Sequence, residues 1–319
     1  MSRFTLRAAA VLATLAMMVV IPACGTTTTI TTTTMPPAGK TSTDRPPAHI
    51  VVIFMENHAL GYILKSRAIA PYENALWAGT AGTASEDMTD YRPLASPSLP
   101  NYLAVASGST WTTTDAVQPG QFAGPTLWDQ LTGAGISWGV YEEGMPSACS
   151  GTVTYNDTAT DGQYVLRHNP AIPFGTVWNS PAECAQVRPL SALKLAALPA
   201  VAFITPNVCD DMHGIPPGAP DPFKNCVKGS PELTRRSDAW LANVVPKLVA
   251  SGATVFVTYD ECCSTYPSTL FAVETGPDVA NGSKFTAATD HEGLLAGIER
   301  AEGLPPLGDA ASASPVPFP

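Results

Sequence analysis

The sequence predicts an α/β fold, with a mostly parallel central sheet and helices on both faces. Three observations carry that expectation. Residues 50–55, IVVIFM, form an unbroken apolar run rich in β-branched side chains, as in a strand buried on both faces. Residues 201–205, VAFIT, and 254–259, TVFVTY, repeat the pattern. Stretches with helical spacing lie between such runs, and this alternation favours parallel pairing.

At the N-terminus, Arg3 and Arg7 precede an apolar run over residues 8–21, and Ala23 precedes Cys24. This is the order of an export signal, here residues 1–23, and the run is short for a membrane span. Ile21-Pro22-Ala23-Cys24 resembles a bacterial lipoprotein box, which would lipidate Cys24 and tether the chain to a membrane. Pro22 departs from that box, and plain secretion is the alternative. Residues 24–47 are rich in Thr and Pro and read as a flexible tether. The folded domain is expected over 48–310, and the Pro- and Ala-rich end, 311–319, is expected to be disordered.

The chain has 319 residues, 45% of them hydrophobic, with no internal repeat, so one large domain is favoured over two small ones. A formal net charge of -10 argues against nucleic acid as a partner. Beyond Cys24 there are six cysteines, an even number that in an exported protein points to up to three disulfides. The favoured pairing is Cys149 with Cys184 and Cys209 with Cys226, leaving Cys262 and Cys263 vicinal or exchanged. No CxxC spacing occurs, which counts against a zinc site built from them.

Along the domain, helices are expected at 68–78, from Pro100 to Ala106, at 127–131 and at 235–250. Further strands are expected at 136–141 and 270–273. Residues 142–189 and 214–231 read as loops, and Asp290-His291 opens a last helix. Chemistry is concentrated where strands end. Glu56 and Asn57 follow the first strand, Asp260 and Glu261 the strand at 254–259, and Asp210, Asp211 and His213 the strand at 201–205. Ligands in open α/β sheets bind outside the carboxyl ends of strands, and converging hard oxygens suit a divalent cation of unassigned identity. For Asp210-Asp211 the alternative is a solvated turn. Ser98, between two prolines, is either a helix cap or a nucleophile beside backbone N–H groups that favour an anion. His168, next to Arg167, stands in a loop where a lone histidine is most often structural. His291 at a helix start is expected to be neutral, which suits a ligand or an acid/base role.

These segments together resemble a known family. MENH (55–58), PSLPNYLA (97–104), RHNP (167–170), ITPNVCDDMHG (204–214), TYDE (258–261) and DHEGLLAGIE (290–299) occur in the order found in the phosphoesterases. That family groups secreted bacterial acid phosphatases with phospholipases C on an alkaline-phosphatase-like fold. The resemblance spans about 49–308 and implies an exported phosphatase acting on phosphate monoesters, with phosphoinositides among the candidate substrates. It implies that Glu56, Asn57, Asp260, Glu261 and Ser98 hold the metal and that Ser98 is also the nucleophile. His213 and His168 would contact the phosphoryl group or protonate the leaving oxygen, which favours a mildly acid optimum. Arg167, Asp211 and His291 are weaker carry-overs, and Asn101 and His58 would orient other groups. The 214–231 insertion and the Cys262-Cys263 pair are not features associated with the short members. A phospholipase C or other diesterase is the second reading, and a non-catalytic surface-binding lipoprotein the third.

Overall fold

A computed structural model describes residues 49–153, 164–218, 224–262 and 268–319. The expected export signal and tether, together with Cys24, Cys263 and part of the 214–231 insertion, lie outside the described residues. The described residues belong to one compact unit.

β1 (His49–Met55) is buried from Ile50 onward, as its apolar run requires. Along the chain follow α1 (Leu60–Lys65), α2 (Pro71–Trp77), β2 (Ser85–Met88), β3 (Tyr91–Arg92), α3 (Leu99–Ser107), α4 (Leu127–Ala134) and β4 (Trp138–Glu142). Then come α5 (Gly175–Trp178), α6 (Pro181–Cys184), β5 (Val187–Pro189), β6 (Val201–Thr205), α7 (Pro231–Ala250) and β7 (Ala253–Tyr259). β8 (Ala272–Thr275), β9 (Ser283–Phe285), β10 (Thr289–Asp290) and α8 (His291–Glu302) complete the order. Eight strands form one sheet in the order β5-β4-β6-β1-β7-β8-β2-β9, and β10 pairs with β3. The first five are parallel, while β8 runs antiparallel to both β7 and β2.

Register places the chemistry. Met55 lies opposite Tyr259, so the chain leaves β1 and β7 side by side, and the Asp260 N–H donates to the Met55 carbonyl at 2.9 Å. On the other side of β1, Ile53 lies opposite Ile204. The loop after β6 then turns inward, and its Asp211 carbonyl accepts from the Glu56 N–H at 2.8 Å.

Side chains alternate across a strand, so neighbouring residues identify the two faces. Phe54 meets Tyr102 of α3 and His291 of α8, with ring centroids 5.0 and 5.1 Å away. Tyr259, paired with Met55 and therefore on the opposite face, donates its hydroxyl to Glu73 of α2 at 2.6 Å. α7 joins α2 there: the Asp238 carboxylate accepts the N–H groups of Tyr72 and Glu73, satisfying an N-terminus that Ala70 cannot cap. Helices thus cover both faces.

Several sequence expectations need correction. The helix expected at 68–78 begins only at Pro71, whose fixed φ suits a first turn, and α1 was not anticipated. The strand expected at 270–273 is β8, two residues further on. The C-terminal end does not fray: Ala310 and Val316 are buried, and the Val316 N–H donates to the Gly293 carbonyl at 3.0 Å. Gly293 and Gly297 allow this, because a Cβ at either would collide with the carbonyl of Ser314 or Val316. Both favoured disulfides, Cys149–Cys184 and Cys209–Cys226, are formed, and Cys262 is disulfide-bonded as well.

Burial pushes the Glu73 carboxyl up to about 8, against the Tyr259 hydrogen bond and with help from Asp238. A folded-state value above the ordinary 4.5 means that the folded protein binds the extra proton between pH 4.5 and 8. The stabilisation is complete below pH 4.5 and is lost as pH rises to 8. Glu73→Gln is therefore expected to gain about 2–4 kcal/mol over wild type at pH 8.5, relative to pH 4.5, in urea unfolding. Parallel pH profiles for the two proteins would refute this assignment.

Candidate active site

The site is built on the carboxylate of Glu56, fully buried at the end of β1. One of its oxygens, Oε2, accepts from the Ser98 hydroxyl at 3.0 Å and from Asn57 Nδ2 at 2.6 Å. The other, Oε1, accepts from the Tyr102 hydroxyl at 2.8 Å and lies 3.1 Å from His168 Nε2. Asp260, from the neighbouring strand end, accepts the Asn57 N–H at 2.9 Å, and the Ser98 hydroxyl is also within hydrogen-bonding reach of its carboxylate. Glu56, His168 and His213 present ligand atoms within 4.8 Å of one another.

Ser98 precedes α3 but does not cap it, since its side chain points to Glu56. The loop before it is pinned by Asn101, whose Oδ1 accepts the N–H groups of Leu94 and Ala95 and whose Nδ2 donates to the carbonyls of Ala95 and Pro97. Asn101 thus braces the loop that leads into the serine. The expectation of a free anion-binding helix N-terminus fails. The Leu99 N–H donates to Asp115 Oδ1 at 3.0 Å, Pro100 has no N–H, and the Asn101 N–H donates to the Ser98 carbonyl.

His168 stands between two acids, with Nδ1 3.3 Å from Asp211 Oδ2. That pair is close but not aligned as a hydrogen bond, so both ring nitrogens of His168 and Asp211 Oδ2 remain without a proper partner. The ring stacks on Tyr102 at 5.4 Å. His213 has its Nδ1 2.7 Å from the Gly214 carbonyl, which fixes the tautomer and turns a bare Nε2 toward Arg167, 3.3 Å away. Arg167 also approaches Asp115 at 3.6 Å.

The remaining sequence candidates divide clearly. His58 holds the Glu56 carbonyl at 2.9 Å and supports the strand end. His291 spends both nitrogens on protein, one on the Asp260 carbonyl at 2.6 Å and one on the Tyr91 hydroxyl at 2.9 Å, so it is a support rather than a ligand or acid/base. Glu261 is buried beside Asp260, whose carboxyl its charge helps to raise, and its own carboxyl accepts from Ser96 and feels Asp115. Tyr102 was missed, although its place one helical turn after Ser98 puts both on one face. Nothing local marked Asp115.

Electrostatics provide the test for a cation. Burial pushes Glu56 and Asp211 well up, and repulsion from Asp260 adds to both. Burial also raises Asp260, to about 7, against the hydrogen bonds from Asn57 and Ser98. Three buried acids share too little positive charge, and Asp260 Oδ2 has no hydrogen-bond partner. Burial drives His168 well down and His213 to about 3, with the Arg167 charge adding to both, so the imidazoles are neutral, as metal ligands must be. The donor set fits a divalent cation. It removes the basis for protonated imidazoles in the free protein.

The sequence model of the Phosphoesterase family matches residues 87–262, more than half of the chain. The chain belongs to the Phosphoesterase family. Membership makes it a phosphoric ester hydrolase. Among curated relatives, this phosphoesterase is 28% identical over 274 residues to the phosphatidylinositol-3-phosphatase of Mycobacterium tuberculosis, covering 84% of this chain and 81% of that one. It is 29% identical over 232 residues to the phosphate-repressible acid phosphatase of Penicillium chrysogenum, covering 69% of this chain but 53% of that one. The phosphoesterase therefore spans about half the length of that fungal relative. Its fold resembles the crystal structure of an alkaline phosphatase superfamily protein from Vibrio parahaemolyticus, with TM-score 0.55 at 11% identity, covering 86% of this chain and 71% of that one. The alkaline-phosphatase-like α/β fold expected from the sequence is the fold found.

Proposed function

We propose that this phosphoesterase is an exported, metal-dependent phosphomonoesterase of the acid phosphatase type that works through a phosphoserine on Ser98. One observation carries the reading: the Ser98 hydroxyl donates to Glu56 and reaches Asp260, inside the cluster whose buried acids lack a counter-charge. Glu56, Asp260 and His168 are the residues best placed to hold the cation, with Asn57 and Ser98 on the same carboxylate, Glu261 as an outer acid, and His213 left to serve the leaving group. Bound there, the cation supplies electrostatic stabilisation of phosphoryl oxygens and lowers the pKa of the serine hydroxyl.

Ser98 Oγ attacks phosphorus as the ester P–O bond breaks, and the hydroxyl proton passes to a neighbouring carboxylate. Arg167, beside His213, is placed to pair a phosphoryl oxygen. A phosphate dianion bound next to His213 offsets the Arg167 charge and raises the affinity of Nε2 for a proton, which can then go to the leaving alkoxide. Water next cleaves the phosphoserine and restores the hydroxyl. Two disulfides among the described residues support an oxidising, extracytoplasmic setting for the mature chain, whether it is secreted or tethered through Cys24. Phosphoinositides are a substrate class to test because one relative is a phosphatidylinositol-3-phosphatase.

The purified protein is expected to hydrolyse p-nitrophenyl phosphate at least about tenfold faster than its bis ester, because a site rich in positive charge once the cation is bound gains most from the extra negative charge of the monoester. Preferential diester turnover would instead establish the phospholipase C type of reading. Silence on both, with any divalent cation, would leave a binding protein on this scaffold.

A further inference from the structure

Beside the site stands a cation that the proposed chemistry does not use. The disulfide Cys209–Cys226 joins the loop carrying Asp211 and His213 to the later part of the 214–231 insertion. A short parallel bridge continues the join: the Ile215 N–H donates to the Cys226 carbonyl at 2.7 Å and the Lys228 N–H to the Ile215 carbonyl at 2.8 Å. Gly214, at φ +71°, is pressed against this strip, and a Cβ there would lie 2.7 Å from the Lys228 nitrogen. Val165, Val208, Cys209, Ile215 and Cys226 form a small apolar core beneath it. The backbone of Lys228 is therefore fixed relative to His213, two residues from its bridge partner.

The side chain is a different matter. Lys228 is exposed, and its ammonium makes no ion pair with any described residue. Its charge is nevertheless felt at His58, His168, His213 and Glu261, which surround the site on several sides. Arg167, the other cation of the site, is engaged with His213 and Asp115. In a chain of net charge -10, a lysine held beside these groups with no ion-pair partner among the described residues is positioned to meet an anion arriving from solvent.

We propose that Lys228 is a specificity-determining residue that binds a second phosphate on the substrate, so that the enzyme prefers phosphate monoesters carrying another phosphate over those with one. This rests on the phosphomonoesterase reading and extends it to a substrate class. Lys228 touches neither Ser98 nor the cluster around Glu56, so its contribution belongs to binding of the non-reacting end.

The test compares inositol 1,3-bisphosphate with inositol 3-phosphate, which differ only in the second anion. Wild type is expected to favour the bisphosphate in kcat/KM by about tenfold, the scale of one charge-assisted contact. In Lys228→Gln the ratio should collapse toward one, chiefly through KM for the bisphosphate, whereas Lys228→Arg should keep most of it. Raising salt to about 0.5 M should shrink the wild-type preference, because an exposed contact is screened. A ratio unchanged in Lys228→Gln, or an equal loss on both substrates, overturns the inference while leaving the phosphomonoesterase reading intact. Turnover of neither substrate, nor of p-nitrophenyl phosphate, by wild type removes that reading and this inference with it.

Discussion

Ser98→Ala is expected to lower kcat on p-nitrophenyl phosphate by at least about 10⁴, the scale seen when a covalent nucleophile is removed and binding and electrostatics are left behind. Among the described residues at the Glu56 carboxylate, the serine hydroxyl is the one that also reaches Asp260, which places it best to act as the nucleophile. Asn57 and Tyr102, the other donors there, hold the carboxylate in place. Losing one hydrogen bond to a buried acid should cost about 1–3 kcal/mol of stability, so the variant should still fold. The readouts are steady-state turnover and a cooperative thermal transition of the same sample. A correctly folded Ser98→Ala protein retaining activity within tenfold of wild type would sink the phosphoserine route.

Exhaustive chelation is expected to abolish turnover and to lower the Tm by about 5 °C, with both restored by a divalent cation. The reasoning starts from Glu56, Asp211 and Asp260, three buried acids that repel one another. A cation that binds only the folded state stabilises it by about 2.7 kcal/mol at a hundredfold excess over Kd, which for a domain of this size is a shift of that order. Glu56→Gln should erase the cation-dependent increment while leaving the chelated Tm at or above that of wild type. Protons compete with the metal at these carboxylates. Because Asp260 is pushed up to about 7, cation affinity should fall as pH drops below that value, at a slope that a titration by calorimetry would report. Identical Tm and activity before and after chelation would exclude the cation.

How far the sequence reached can be followed residue by residue. Glu56 and Asp260 were legible because each directly follows an apolar run that can only be a buried strand, and strand ends in a parallel sheet share one rim. Asp211 and His213 were legible for the same reason. An even cysteine count behind an N-terminus with the order of an export signal made disulfides legible, whereas their pairing was a choice among several that the structure decided. His168 was not convincing as a loop residue, and it became part of the site only through contacts with Glu56 and Asp211, 112 and 43 positions away. Asp115 carried no local signal at all, yet it takes the Leu99 N–H that had been expected to remain open for an anion.

By itself the sequence determined the alternation of strands and helices, the rim on which the acids stand, and the family to which the ordered segments point. These depend on side-chain period and chain order, which are local properties. Only the tertiary structure decided which groups share a carboxylate, which histidines are neutral, that His291 spends both nitrogens on Asp260 and Tyr91, and that the C-terminal end packs against α8. Those outcomes depend on distances of a few ångströms between segments far apart in the chain and on the loss of water around them, and neither quantity is written in any short stretch of residues.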